Sequence, residues 1–293
     1  MKTKIIIGLL TGCFMVISSL GISSLGIFSP DLSAQEYPTV EENVSFEQVL
    51  ALATREPRVE IAYGDDPLQF GLLWMPDTAE AAPLVILIHG GCWLNSFDVN
   101  HSRPLASALS QAGFAVWSLE YRRTGDPGGG WPGTLADIRL ALSRLDRLNR
   151  GEHQSIDLSR VAVAGHSAGG HLALMAGQEL PAARAIIGLA AIVDMESYSR
   201  GNNSCQQAAP LFMGTPLEQA RDLYALANPV KQPLHPQSLL LHGGSDDIVP
   251  LDHFEANVLP TSVVSGAGHF DWIHPGTAAY RLLLNTLHNR LAP

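Results

Sequence analysis

The chain has 293 residues, 46% apolar and 16% charged, which is enough for the core of one large α/β domain and too apolar for a disordered chain. Its 18 basic against 28 acidic residues give a net charge of −10, which repels polyanions and argues against a nucleic-acid partner. Three cysteines without paired spacing exclude a disulfide scaffold and a zinc site.

Residues 1–34 stand apart from the rest. Lys2 and Lys4 precede an uncharged apolar run from Ile5 to Phe28, and Ala34 offers a small residue at a cleavage point. This pattern predicts a secretory signal. Two other readings stay open. The run is long enough to be retained as an N-terminal anchor, and Leu10-Thr11-Gly12-Cys13 has the form of a bacterial lipoprotein box. All three export the protein, secreted or periplasmic, and leave an anchor or a lipid at this end as the only route to a membrane. Loss of the segment leaves Cys92 and Cys205 where thiols can oxidise.

Residues 35–57 are polar, with Pro and Glu, and predict a linker with a short first helix. A catalytic domain is expected over 58–293. Val59–Tyr63 alternates like a strand and Leu68–Met75 like a second, joined through Gly64-Asp65-Asp66-Pro67 as an antiparallel hairpin. Leu84–Ile88 is a continuous apolar run, the pattern of a strand covered on both faces. A helix over Pro104–Ala112, a strand over Phe114–Leu119 and a helix over Leu135–Leu148 follow, the last with Leu135, Ile138, Leu142 and Leu145 on one face. Val161–Ala164 predicts a strand and Ala168–Glu179 a helix of small residues. Further strands are expected at Ala185–Leu189, Ser238–Leu241 and Thr261–Val264, with Thr277–Leu291 as the closing helix. This rhythm predicts a mostly parallel central sheet of about eight strands with helices on both faces. Residues 194–237 break it with Gly, Asn, Pro and Gln, as an excursion over the carboxyl edge of the sheet, where ligands bind in such folds.

Gly165-His166-Ser167-Ala168-Gly169 directly follows a predicted strand and directly precedes a predicted helix. Small residues permit the tight turn that lifts the Ser167 hydroxyl above the sheet as a nucleophile. His166 is expected to face away and pack, and His171 to be a satisfied buried neighbour. A serine at its free pKa is a weak nucleophile, so it needs a base and the base an orienting acid. In the order Ser, Asp, His, the acid falls on the loop after Ser238–Leu241, where Asp246 and Asp247 stand side by side. The base falls after the last strand, in Ser265-Gly266-Ala267-Gly268-His269-Phe270, with His274 as the competitor. His242 and His89 are expected to shape their turns. His89-Gly90-Gly91-Cys92-Trp93 follows the strand Leu84–Ile88. On that loop the N–H groups of Gly91 and Cys92, with that of Ala168, can meet a developing oxyanion.

These motifs resemble those of the α/β-hydrolases, in the esterase group that includes hormone-sensitive-lipase-like and kynurenine-formamidase-like enzymes. The resemblance runs from about Val59 to the C-terminus. It rests on His89–Trp93 as an H-G-G-x-W motif, Glu120-Tyr121-Arg122 as a strand-end triplet, Gly165–Gly169, and Gly268-His269-Phe270. An H-G-x-x-D-x-x-V-P pattern falls on His242, Gly243, Asp246, Val249 and Pro250, and so favours Asp246 over Asp247. The resemblance implies hydrolysis of a small-molecule carboxylic ester, or of a simple amide, with no metal or organic cofactor. Cys92 departs from it, standing where an aromatic residue or Gly is common. Its side chain either shapes the acyl pocket or pairs with Cys205. A binding module on the same scaffold is a third reading, but such modules lose a triad member and here none is missing. The walls of the pocket are expected from residues 121–133 and 194–237. Trp93 is expected to crowd the acyl side, and Trp131 to lie near the mouth or else simply to enter a helix.

Overall fold

The computed structural model describes residues 37–78, 80–149, 155–254 and 259–293; the predicted signal at 1–34 lies outside them. From Tyr37 onward the chain is built around one eight-stranded sheet. The hairpin is present as β1 (Val59–Ala62) and β2 (Phe70–Trp74), and β3 (Ala82–Ile88) and β4 (Ala115–Leu119) follow. Next come β5 (Ile156–His166), β6 (Ala185–Leu189), β7 (Ser238–Gly243) and β8 (Thr261–Val264). Their order across the sheet is β1-β2-β4-β3-β5-β6-β7-β8. The β1–β2 and β2–β4 pairs are antiparallel and every pair from β4 to β8 is parallel.

Side chains alternate across a strand, so each strand feeds two cores. Leu84, Ile86 and Ile88 of β3 and Val161 and Val163 of β5 point to one face. There they meet α3 (Gly133–Leu142) and α4 (Ala168–Ala176). Val85, Leu87, Ala162 and Ala164 point to the other, covered by α2 (Arg103–Gln111) and α8 (Ala278–Arg290). Two sequence expectations are corrected here. The helix expected over Leu135–Leu148 ends at Leu142, because the Ser143 hydroxyl donates to Leu140 O at 2.7 Å and the chain tightens into a 3-10 turn over Leu145–Asn149. The strand expected over Val161–Ala164 begins at Ile156, since its first part pairs with Ala82 and Pro83 beyond a register shift and keeps polar residues at the surface.

Two segments outside this frame reach the carboxyl edge of the sheet. The excursion at 194–237 carries α5 (Met195–Tyr198), α6 (Ser204–Met213) and α7 (Arg221–Leu226). A disulfide joins Cys205 of α6 to Cys92, 113 residues earlier. The stretch read as a linker is bound to the domain, and α1 (Phe46–Leu50) sits within it, opened by a Ser45–Gln48 capping box. Asn43 N and Val44 N donate to the two carboxylate oxygens of Asp271 at 2.9 and 3.1 Å, and Val40 N donates to Gly276 O at 3.2 Å.

Candidate active site

β5 ends at His166, α4 starts at Ala168, and Ser167 between them has φ 56° and ψ −120°. Backbone strain of this kind persists only where the surroundings enforce it. Here the enforcement comes from the flanking glycines. A Cβ on Gly165 would lie 2.1 Å from Gly169 O, and one on Gly169 would lie 2.2 Å from Ile88 O. Ser167 N donates to Leu189 O at 2.8 Å, which ties the turn to β6.

His269 comes from the loop after β8. Its Nδ1 faces Asp246 Oδ2 at 2.8 Å, and Asp246 Oδ1 accepts from Ile248 N at 2.9 Å and Val249 N at 2.8 Å. Burial pushes the Asp246 carboxyl up, but the charge and hydrogen bond of His269 and the Val249 amide outweigh it and leave its pKa below the ordinary value. An ionised Asp246 can therefore hold the imidazole with Nδ1–H inward and Nε2 free. Asp247 points to the surface. His274 is buried away from Ser167, its Nδ1 accepting from Gly276 N at 3.1 Å.

Ser167 and His269 line one cavity of about 160 Å³ together with Gly91 and Cys92. The other walls come mostly from apolar side chains, Phe46, Phe97, Ile248 and Phe270, with His101, and from Ser204 and Cys205 of the excursion, whereas the expected wall at 121–133 contributes no residue. Gly91, Cys92 and Trp93 have φ of 106°, 52° and 59°, a run of left-handed residues that sets the path of this loop. Ala168 is the first residue of α4, so its N–H has no acceptor within the helix and stands next to Ser167.

The family model BD-FAE matches residues 72–257. The chain belongs to the BD-FAE family. Esterase LipC of Mycobacterium tuberculosis (strain ATCC 25618 / H37Rv) is 28% identical over 305 residues, covering 91% of this chain and 74% of that protein. Esterase B from Lactobacillus rhamnosis shares the fold with a TM-score of 0.64 at 20% identity, covering 84% of this chain and 89% of its own. EstE1, a thermostable carboxylesterase cloned from a metagenomic library, does so with a TM-score of 0.62 at 20% identity, over 85% and 93%. The expected resemblance holds: this BD-FAE chain is an α/β-hydrolase of the esterase group.

Two of the expected substrate contacts do not reach the cavity. Trp93 is wholly buried, stacked on Phe212 at 4.7 Å, with Nε1 donating to His171 Nδ1 at 3.3 Å. The left-handed turn at Cys92 and Trp93 sends the two side chains different ways, Cys92 into the cavity and Trp93 into the core. Trp131 stands at the entry to α3, as the alternative reading has it, and lines a separate cavity of about 520 Å³ beside Leu135 and Arg139 of α3, Met175 of α4 and Gln178 just beyond it. For Cys92 both alternatives are met, since it is bonded to Cys205 and both residues line the cavity with Ser167.

Sequence reasoning missed the supports behind this BD-FAE site. His166 was expected to pack and does more, facing His269 O with Nε2 at 2.8 Å and His101 Nε2 with Nδ1 at 2.9 Å. Only one proton arrangement satisfies both contacts with neutral rings: His101 donates to His166, which donates to the His269 carbonyl. Its place within the Gly165–Gly169 motif was the one available signal; His101 had none. Asp271 accepts from Gly268 N at 3.0 Å as well as from Asn43 and Val44, and so fixes the loop carrying His269. Glu120 does the same for the other loop: its Oε1 lies 3.1 Å from His89 Nε2, and Oε2 accepts from Val99 N at 2.9 Å.

The buried histidines make stability depend on pH. Burial, then repulsion from His269, pushes His166 down to about 3, and burial pushes His171 down to about 4. His101 is driven well below the ordinary value, first by burial and then by His166. Unfolding frees these rings to protonate near pH 6.5, so below that pH the unfolded chain binds more protons than the native one. Each ring then removes about 1.4 kcal/mol of stability per pH unit, until the native ring also protonates. Melting temperature is expected to fall steadily from pH 6.5 to 4, and His171→Gln to shallow the slope. A flat profile over that range would rule out neutral buried rings.

Proposed function

We propose that this BD-FAE protein is an exported serine esterase that cleaves short-chain carboxylic esters through an acyl-enzyme. The observation that carries the reading is the small apolar cavity shared by Ser167, His269, Gly91 and Cys92, with Asp246 bonded behind His269. Ser167 Oγ attacks the acyl carbonyl carbon while His269 Nε2 takes its proton. Asp246 holds Nδ1–H and steadies the imidazolium. The oxyanion is received by the N–H groups of Gly91, Cys92 and Ala168. The C–O bond to the alcohol then breaks as His269 returns the proton to the leaving oxygen. Water, deprotonated by the same ring, releases the acid from Ser167. LipC and esterase B are named as esterases, which supports an ester over an amide substrate. Export is supported by Lys2, Lys4 and the apolar run to Phe28, and by a disulfide that an oxidising compartment would maintain. N-terminal sequencing of the exported fraction tests it, with Gln35 the expected first residue.

The substrate reading is tested with p-nitrophenyl esters from acetyl to decanoyl, beside N-formyl and aminoacyl anilides. The helices of the excursion are short and offer no broad apolar face to dock on an interface. The expected maximum is therefore at acetyl to butyryl, with no jump in rate past the solubility limit and anilides slower by at least about a hundredfold. A maximum at ten carbons, activation by emulsions, or faster anilides would overturn it.

A further inference from the structure

A second cavity, of about 470 Å³, lies against the one that holds Ser167. Phe46, Ile248, His269 and Phe270 line both. Ser167, Gly91 and Cys92 line only the small one, whereas Asn43, Ser45, Glu47, Ser245 and Asp247 line only the large one. The imidazole of His269 thus stands in a partition between an apolar chamber and a groove with a larger polar share. The chemistry of ester cleavage gives each side a role. The carbonyl carbon must sit at Ser167 with its oxygen toward the loop amides, so the acyl group occupies the small chamber. The leaving oxygen must face the Nε2 that returns its proton, so the alcohol part leaves the chamber past His269, toward the groove.

Phe46 is the part of this partition that the catalytic frame does not itself supply. It enters from α1, upstream of the matched residues 72–257. Its ring stacks on Phe270 at 5.2 Å, lies 5.1 Å from the ring of His101, and meets Phe97 edge-on at 6.0 Å. Phe97 is itself pressed onto the oxyanion loop, since a Cβ on Gly91 would lie 2.4 Å from Phe97 Cβ. The segment carrying Phe46 is held by the same Asp271 carboxylate that holds the His269 loop. The wall and the base are therefore positioned by one buried anchor.

We propose that Phe46 closes the acyl chamber and divides it from an alcohol subsite, so that the preferred substrate joins a short apolar acyl group to a polar alcohol. This rests on the esterase reading above. Removing the ring joins the chamber to the groove and lets longer acyl chains extend past the wall.

The test compares wild type, Phe46→Ala and Phe46→Leu on p-nitrophenyl acetate and octanoate. Phe46→Ala is expected to raise the octanoate-to-acetate ratio of kcat/KM at least tenfold, the equivalent of about two further buried methylenes, with Phe46→Leu between it and wild type. A second arm holds the acyl group at butyryl and compares monobutyrin with butyl butyrate. Wild type is expected to favour the glycerol ester, and Phe46→Ala to narrow that preference. Circular dichroism and melting temperature check that each variant is folded; if Phe46→Ala is not, Phe46→Leu carries the test alone. A wild type inactive on every ester sinks the esterase reading. A wild type that is active, with an unchanged ratio in a folded Phe46 variant, sinks the partition. So does a wild-type preference for butyl butyrate.

Discussion

Ser167→Ala is expected to reduce kcat on p-nitrophenyl butyrate by roughly a million-fold, the scale of loss when a serine nucleophile is removed from a triad. The fold should be untouched. Alanine also has a Cβ, so it meets the same φ of 56° that Ser167 already tolerates, and the contacts holding the turn come from backbone and glycines. An alkyl phosphonate probe should add one equivalent to the wild type, and peptide mapping should place it on Ser167. Labelling at another residue, or turnover near the wild-type rate by a folded Ala variant, would remove Ser167 from the mechanism.

His269→Ala is expected to match that loss, because nucleophile and base act as a unit, and the double variant should be no worse than either single one. Asp246→Asn is expected to cost about ten-thousand-fold. The amide cannot replace a carboxylate that accepts from Ile248 N, Val249 N and the imidazole together, so the ring loses both its tautomer and its counter-charge. Asp247→Asn should change kcat less than about threefold, since the side chain is exposed and its neighbour makes the contact to His269. Steady-state kinetics on the four variants decide the matter. If Asp247→Asn proves the more damaging, the orienting acid has been misassigned.

The strands were legible because a strand buried on both faces must be apolar throughout, as Val161–Ala164 and Ala185–Leu189 are. The turn at Ser167 was legible for a related reason, as only glycine fits at Gly165 and Gly169 and a glycine can be read directly. Side-chain direction on a loop was not. Cys92 and Trp93 are adjacent, yet one enters the cavity and the other the core, and the backbone angles that decide this are not written in residue types. Supports that join distant parts of the chain were equally hidden. Asn43 meets Asp271 across 228 residues, and nothing in either neighbourhood announces the other. Nothing in the polar stretch 35–57 singles out Phe46, because its partners, Phe97, His101 and Phe270, are all supplied by distant segments.

The bond between Cys92 and Cys205 makes completion of the pocket a chemical event as well as a conformational one. One sulfur belongs to the loop of Gly91 and Cys92 that lines the cavity with Ser167, the other to a helix synthesised more than a hundred residues later. Closing a loop of that length restricts the unfolded chain by about 4 to 5 kcal/mol in the chain-entropy account, so the oxidised protein resists unfolding better than the reduced one. Maturation would thus wait on an electron acceptor after synthesis. A chain kept in a reducing cytosol would instead carry two thiols facing its own nucleophile. Those thiols would be open to alkylation from the cavity, and the extent of that reaction would count the molecules that never finished.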